Sequence, residues 1–164
     1  MSESITKSSL FNSFKVFREI LQGISAFTSL YEKNGTYPFT TNARYFEDEP
    51  NVKSSSFPGY PIVVIQTTAN QESLTLERKK QMVYTTTLTI QSDYFVEKDN
   101  DNLNSYLNAI VHWFNNNKDT LRWTYGLFGL SDIEKDRERD EIGEKQLVNG
   151  ILVFNYHVTL DMKD

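Results

Sequence analysis

The stretch Ser131–Leu160 limits most strongly what this chain can fold into. It opens as a run of alternating charges, Asp132-Ile133-Glu134-Lys135-Asp136-Arg137-Glu138-Arg139-Asp140. It turns near Gly143 and returns as Gln146–Leu160, the most strand-like sequence in the chain. Taken two residues at a time, the outgoing limb separates by sign. Asp132, Glu134, Asp136, Glu138 and Asp140 fall on one side, and Lys135, Arg137 and Arg139 on the other. A helix would place like charges four apart, Glu134 with Glu138 and Lys135 with Arg139, which is unfavourable. An extended β arm is therefore expected. The return limb alternates cleanly, with Val148, Leu152, Phe154, Tyr156, Val158 and Leu160 sharing a face with Gly150. A turn centred on Ile142-Gly143 would set Arg139 against Gln146, Arg137 against Val148 and Ile133 against Leu152. With that register, the charged tip projects past the core.

A chain of 164 residues suggests one domain, 1–164. Hydrophobic residues make up 38% and aromatics 13%, enough for a packed core. The net charge is −5, and residues 131–145, with seven acids against four bases, hold −3 of it. An acidic chain argues against general phosphate binding, which lysine and arginine drive by displacing counterions. With no cysteine, disulfides and thiolate metal sites are excluded, as suits an intracellular or virion protein. The start Met-Ser-Glu-Ser-Ile does not read as a signal peptide. No apolar run approaches the ~20 residues of a membrane span, so no membrane partner is expected.

Along the chain, residues 8–33 read as an amphipathic helix. Leu10, Phe14, Phe17, Leu21 and Ile24 keep three-four spacing, and Ile20, Phe27 and Tyr31 widen the stripe. Gly23 inside it predicts close packing or a bend, and Asn34-Gly35 is a suitable stop. Residues 36–60 form a long connection with a short strand suggested at Phe39–Phe46. Pro50, Ser54-Ser55-Ser56 and Phe57-Pro58-Gly59-Tyr60-Pro61 break it. A connection of this length is either a functional loop or holds a further element. Its Tyr45, Phe46, Phe57 and Tyr60 are candidate contact residues.

Residues 62–95 read as a strand pair. Ile62-Val63-Val64-Ile65 is a short apolar run buried on both faces. Asn70–Lys80 is polar and mixed, and Gln81–Phe95 is a long strand. Met82, Tyr84, Leu88 and Ile90 point one way; Thr85, Thr87, Thr89 and Gln91 point the other. Residues 101–117 read as a second helix, capped by Asp99-Asn100-Asp101-Asn102, with Leu103, Tyr106, Leu107, Ile110, Val111 and Phe114 as its stripe. Leu121–Tyr125 suggests a weak strand, Gly126–Gly129 a loop, and 131–160 the charged β-hairpin. The expected fold is a two-layer α+β domain. Two main helices pack on a mostly antiparallel sheet of about four to five strands, from which the charged hairpin projects.

No catalytic motif, P-loop or dinucleotide fingerprint is present. The histidines, His112 and His157, lack metal-ligand spacing. Asp99 and Asp101 lack the glycine and glutamate of a calcium loop. No cofactor, metal or catalytic residue is therefore expected. Trp113, Trp123, Tyr125 and Phe128 form either a piece of core or an interface patch.

The order of elements resembles the tail terminator proteins of long-tailed bacteriophages and the related tail-completion or neck proteins. The resemblance lies in five features: the amphipathic helix at 8–33, the Phe57-Pro58-Gly59-Tyr60-Pro61-Ile62-Val63-Val64-Ile65 entry into a strand, the strand 81–95 with Asp93 and Tyr94 near its end, the helix 101–116, and the charged segment leading into Phe154-Asn155-Tyr156-His157-Val158. It implies a structural virion protein without enzymatic activity. Copies would form a homo-oligomeric ring, commonly a hexamer, at the head-proximal end of the tail tube. The ring would stop tube polymerisation and meet the tube protein on one side and the head-completion or connector protein on the other. DNA would only pass through its lumen. In such a ring, Asp132, Glu134, Lys135, Asp136, Arg137, Glu138, Arg139 and Asp140 are the candidate interface or lumen residues. The rival expectations are a head-completion, adaptor or minor tail protein, a monomeric binding domain that is not viral, and a divergent enzyme with scattered carboxylates. A solvated hairpin whose exposed ion pairs contribute ~0–1 kcal/mol each is the plain alternative for the charged limb.

Overall fold

A computed structural model describes residues 12–32, 35–51, 53–76, 79–93, 97–142 and 145–161. In chain order, the elements are α1 (Ser13–Gln22), α2 (Ser25–Thr28), two short 3-10 turns (Pro38–Thr40 and Asn42–Arg44), β1 (Tyr45–Phe46), β2 (Ile62–Leu76), β3 (Lys79–Asp93), α3 (Glu97–Asn116), α4 (Lys118–Tyr125), β4 (Glu134–Ile142) and β5 (Lys145–Asp161). The strands form one sheet in the order β1-β2-β3-β5-β4. β1 lies parallel to β2, and all other neighbours are antiparallel. Helices cover one face, which makes the two-layer α+β domain that the sequence suggests.

β5 organises the sheet. It pairs with β3 from Leu147 to Asp161 and with β4 from Lys145 to Val153. Its alternate residues Val148, Leu152, Phe154, Tyr156 and Val158 enter the helix-side core. There Phe17 of α1 meets Phe114, Phe154 and Tyr156 at ring-centroid distances of 6.0, 5.3 and 5.6 Å. Farther along, Phe27 stacks on Phe39 at 4.9 Å, and Tyr106 of α3 sets its edge against both. Such geometries add to the area that large rings remove from water. Gly150 lets α3 approach: a Cβ there would lie 2.7 Å from Leu107 Cδ1 and 2.9 Å from Leu103 Cδ1.

Several expected boundaries move. The helix expected over 8–33 is shorter and broken. Asn12 caps α1 by accepting the Lys15 amide at 3.0 Å, and the bend at Gly23 separates α1 from α2, which ends at Thr28. Residues 8–11 and 33–34 lie outside the described residues. The strand suggested at Phe39–Phe46 reduces to Tyr45–Phe46, preceded by the 3-10 turns. The Arg44 guanidinium holds this connection by donating to the carbonyls of Gly59 and Pro61, both at 3.0 Å.

The apolar run Ile62–Ile65 is only the first turn-free part of a strand that continues to Leu76. Cross-strand pairing carries the polar residues with it; one such contact is Thr67 Oγ1 to Thr86 Oγ1 at 2.7 Å. The strand expected to end at Phe95 is described from Lys79 to Asp93. Asp99–Asn102 lie inside α3, which begins at Glu97, so they do not cap it. Leu121–Tyr125 is helical and not a strand. Gly126 closes α4 in the left-handed conformation, φ 75°, where its amide reaches the carbonyls of Arg122 and Leu121.

Gly150→Ala should lower stability by ~1–3 kcal/mol through overpacking against Leu103 and Leu107. Urea unfolding monitored by tryptophan fluorescence measures this. An unchanged midpoint would show that α3 can retreat from the sheet.

Candidate functional site

Residues directly opposite in an antiparallel pair point to the same side of the sheet. Glu134, Asp136, Glu138 and Asp140 lie opposite Val153, Ile151, Asn149 and Leu147. These belong to the face away from the helices, where Leu147 joins Ile62, Val64 and Tyr60 in a second, smaller cluster. Lys135, Arg137 and Arg139 lie opposite Leu152, Gly150 and Val148, on the helix side. Asp132 precedes the strand. The sign separation in the sequence thus becomes a separation between the two faces of the sheet.

The register differs from the expected one by two residues. Arg139 faces Val148 instead of Gln146, Arg137 faces Gly150, and Leu152 takes Lys135 instead of Ile133. Pairing that continues to Ile142–Lys145 moves the turn outward. An even shift leaves every side chain on its expected face. The reach of the hairpin is a correction. β3 pairs with β5 as far as Leu147, so among the described residues of β5 only Gln146 and Lys145 run past that pairing. β4 is an edge strand laid along the sheet, and it does not stand clear of the core.

Glu134 through Glu141 are all exposed. On the helix side, Lys135 Nζ donates to Asn108 Oδ1 of α3 at 2.9 Å, and Arg139 Nη2 donates to Gln146 Oε1 at 2.8 Å. On the open side, Asp136 and Asp140 each accept the amide of the following residue, at 2.7 and 2.8 Å. More acids join that side from other elements. Gln91 Nε2 donates to both Glu49 oxygens, at 2.9 and 3.1 Å, and Gln66 Nε2 donates to Asp48 Oδ1 at 3.3 Å. Asp93 lies opposite Leu147, as does Asp140. The Tyr60 phenol registers this convergence: burial raises its pKa most, followed by the charges of Glu49, Asp93 and Asp140.

The four aromatic contact candidates divide. Tyr45 and Tyr60 are buried, at 5% and 8% exposure. Tyr45 donates its hydroxyl to the Phe39 carbonyl at 2.8 Å, and burial raises its pKa while Arg18 opposes the rise. It is a core residue. Phe46 and Phe57 are half-buried and border a surface cavity of about 400 Å³ that Glu47, Asp48 and Glu49 also line. Of the tryptophans, Trp113 packs on Phe114 at the core margin, whereas Trp123 is 75% exposed with its ring edge-on to Phe128 at 5.9 Å. His157 stacks on Phe128, and His112 contacts Asn116 on the surface of α3. Among the described residues, no group of three or more His, Asp or Glu side chains is placed to hold a metal ion. Among them, no helix is long and apolar enough to cross a membrane.

Sequence reasoning missed Asp48, Glu49 and Asp93 as acids on the same face of the sheet as those of β4. The run Glu47-Asp48-Glu49 was a visible signal. Its placement on the same face of the sheet as the β4 acids depends on the fold, which sets Asp48 on Gln66 of β2 and Glu49 on Gln91 of β3. In comparisons with known proteins, no family model matches this chain and no curated protein matches it.

Replacing Lys135, Arg137 and Arg139 together by alanine should change the unfolding free energy by at most ~1 kcal/mol, because exposed ion pairs contribute little. Chemical denaturation checks this. A larger loss would make the charged edge part of the folding core.

Proposed function

We propose that the chain is the tail terminator of a long-tailed bacteriophage, a structural subunit without catalysis. Its copies form a ring, a hexamer in this reading, on the head-proximal end of the tail tube. The ring stops tube growth and offers a surface to the head-completion or connector protein. Its place is the virion, after assembly in the host cytoplasm.

The observation that carries this reading is the acidic open face. A sheet with helices on one side and, on the other, the exposed carboxylates of β4 and of Asp48 and Glu49 in the 46–60 connection suits a subunit that turns this second face toward a channel for DNA. Carboxylates there repel phosphate, so DNA passes without adhering. The helix layer then faces outward. The basic side of β4 lies at the sheet edge, where a neighbouring subunit is reached. Cyclic rings use heterologous interfaces, and two dissimilar sheet edges supply the two halves of one.

Electron microscopy of purified tail tubes mixed with the protein tests the reading. Density at one end only, with tube elongation halted, is expected; tubes that stay bare and keep growing would contradict it. The lumen assignment has its own check. Glu134→Lys, Asp136→Lys and Glu138→Lys combined should make the assembled protein retain duplex DNA in a gel-shift at about 0.1 M salt, while the unaltered protein lets it run free. Equal mobility for both would place the open face away from DNA.

A further inference from the structure

The 46–60 connection lies over the open side of the sheet and borders a surface cavity of about 400 Å³. We propose that this cavity is a docking site for a lysine or arginine side chain carried by a segment of another protein. The inference goes beyond the ring reading and does not depend on it.

Two walls of the cavity are aromatic. Phe46 is fixed by β1, where it pairs with Val64 of β2. Phe57 meets Tyr60 edge to face at 5.2 Å, and its ring centroid lies 6.4 Å from that of Phe46. Both rings are half-buried against the small cluster of Tyr60, Ile62, Val64 and Leu147, and both line the cavity. An apolar stem would cover their remaining surface. The π face of either ring attracts a cation that comes within ~6 Å of its centroid.

The charge of the lining is negative. Glu47, Asp48 and Glu49 border the same cavity. Two of them are held by amides of the sheet: Gln66 Nε2 donates to Asp48, and Gln91 Nε2 donates to both oxygens of Glu49. A neutral donor positions a carboxylate without cancelling its charge. Among the described residues, none of the three acids forms an ion pair. Arg44 turns its guanidinium to the carbonyls of Pro58, Gly59 and Pro61. Gln91 is only 1% exposed, and its Oε1 has no hydrogen-bond partner among the described residues. That oxygen belongs to the amide that holds Glu49, so a buried acceptor without a donor stands next to a carboxylate of the cavity.

Other occupants match one half of this lining only. Phosphate and nucleic acid are repelled by the carboxylates. A metal ion makes no use of two phenyl walls, and the described carboxylates do not group to hold one. An uncharged apolar side chain would desolvate the acids without pairing them. A positive head on an apolar stem satisfies both halves, and lysine and arginine are the side chains with that division. The β4 acids give an internal contrast: Glu134 and Glu138 lie on the same side of the sheet but do not line the cavity.

Titration of the isotope-labelled full chain with acetyl-Gly-Arg-Gly-amide and with its lysine counterpart, followed in two-dimensional amide spectra, tests the site. Both peptides should bind in the millimolar range and shift the resonances of the 46–57 segment and of Gln91. The citrulline analogue, equal in shape and uncharged, should bind about fivefold more weakly. Glu47→Gln combined with Glu49→Gln should weaken arginine binding about fivefold. Phe57→Leu, which keeps a wall and removes its π face, should weaken it about two- to fivefold. Glu134→Gln combined with Glu138→Gln should leave it unchanged. Unshifted β5 resonances verify that each variant keeps the fold. Equal binding of the arginine and citrulline peptides, equal weakening by the two glutamine pairs, or no shift with any peptide would overturn the proposal. Binding at the cavity by a chain that fails to cap tail tubes would overturn the terminator reading alone.

Discussion

Parity along β5 is the constraint on which the rest of this molecule depends. The strand is hydrogen-bonded on both sides, to β3 and to β4. Its alternate residues are claimed by the core under α1 and α3. A slip of one residue would turn Leu152, Phe154 and Tyr156 out of that core. It would bring polar Asn149 and Asn155 beneath the helices, and would deprive Leu103 and Leu107 of the space above Gly150. The cost of exposing three large side chains, ~1.5–3 kcal/mol each, far exceeds anything the exposed charges of β4 contribute. The core therefore decides the register, and the charges follow it. β4 has almost no buried side chain of its own, yet each of its charges has a determined face.

This explains what was legible in the sequence. Val148 to Val158 alternate because one face is buried and the other is not, and a period of two survives any uncertainty about the turn. The faces of Glu134–Asp140 were correctly readable for that reason, even though the pairing was displaced by two residues. The α+β class followed from two helical stripes and these alternating strands. Elements whose stability is not local were poorly legible. β2 from Gln66 onward is polar and becomes a strand only through β3. Trp123-Thr124-Tyr125 has strand-like composition, yet it is closed into a helix with Gly126 as its cap. Tyr45 and Tyr60 looked like loop aromatics because nothing in a sequence shows that the 46–60 connection folds back onto the sheet. The contribution of Glu49 and Asp93 to the acidic face arises from strand order alone.

The two faces and two edges divide the surface by physical character. The helix-covered face supplies stability. The open face carries a small apolar cluster under the 46–60 connection and, around it, carboxylates from separate elements, an arrangement that costs repulsion energy. Such an arrangement suits contact with a polyanion that must not adhere. The edges differ from each other in length, charge and direction, as the two halves of a heterologous contact do. Each feature has a plain explanation by itself. Together they fit the ring subunit proposed above, with its sheet turned inward.

Cryo-electron microscopy of the assembled protein, at a resolution that separates helices from strands, shows which face of the sheet meets the bore. A closed ring is expected whose bore is lined by the open face, with Glu134, Asp136 and Glu138 toward the axis and α1 and α3 outside. A ring whose helices line the bore, or a protein that remains a monomer under assembly conditions, would contradict it.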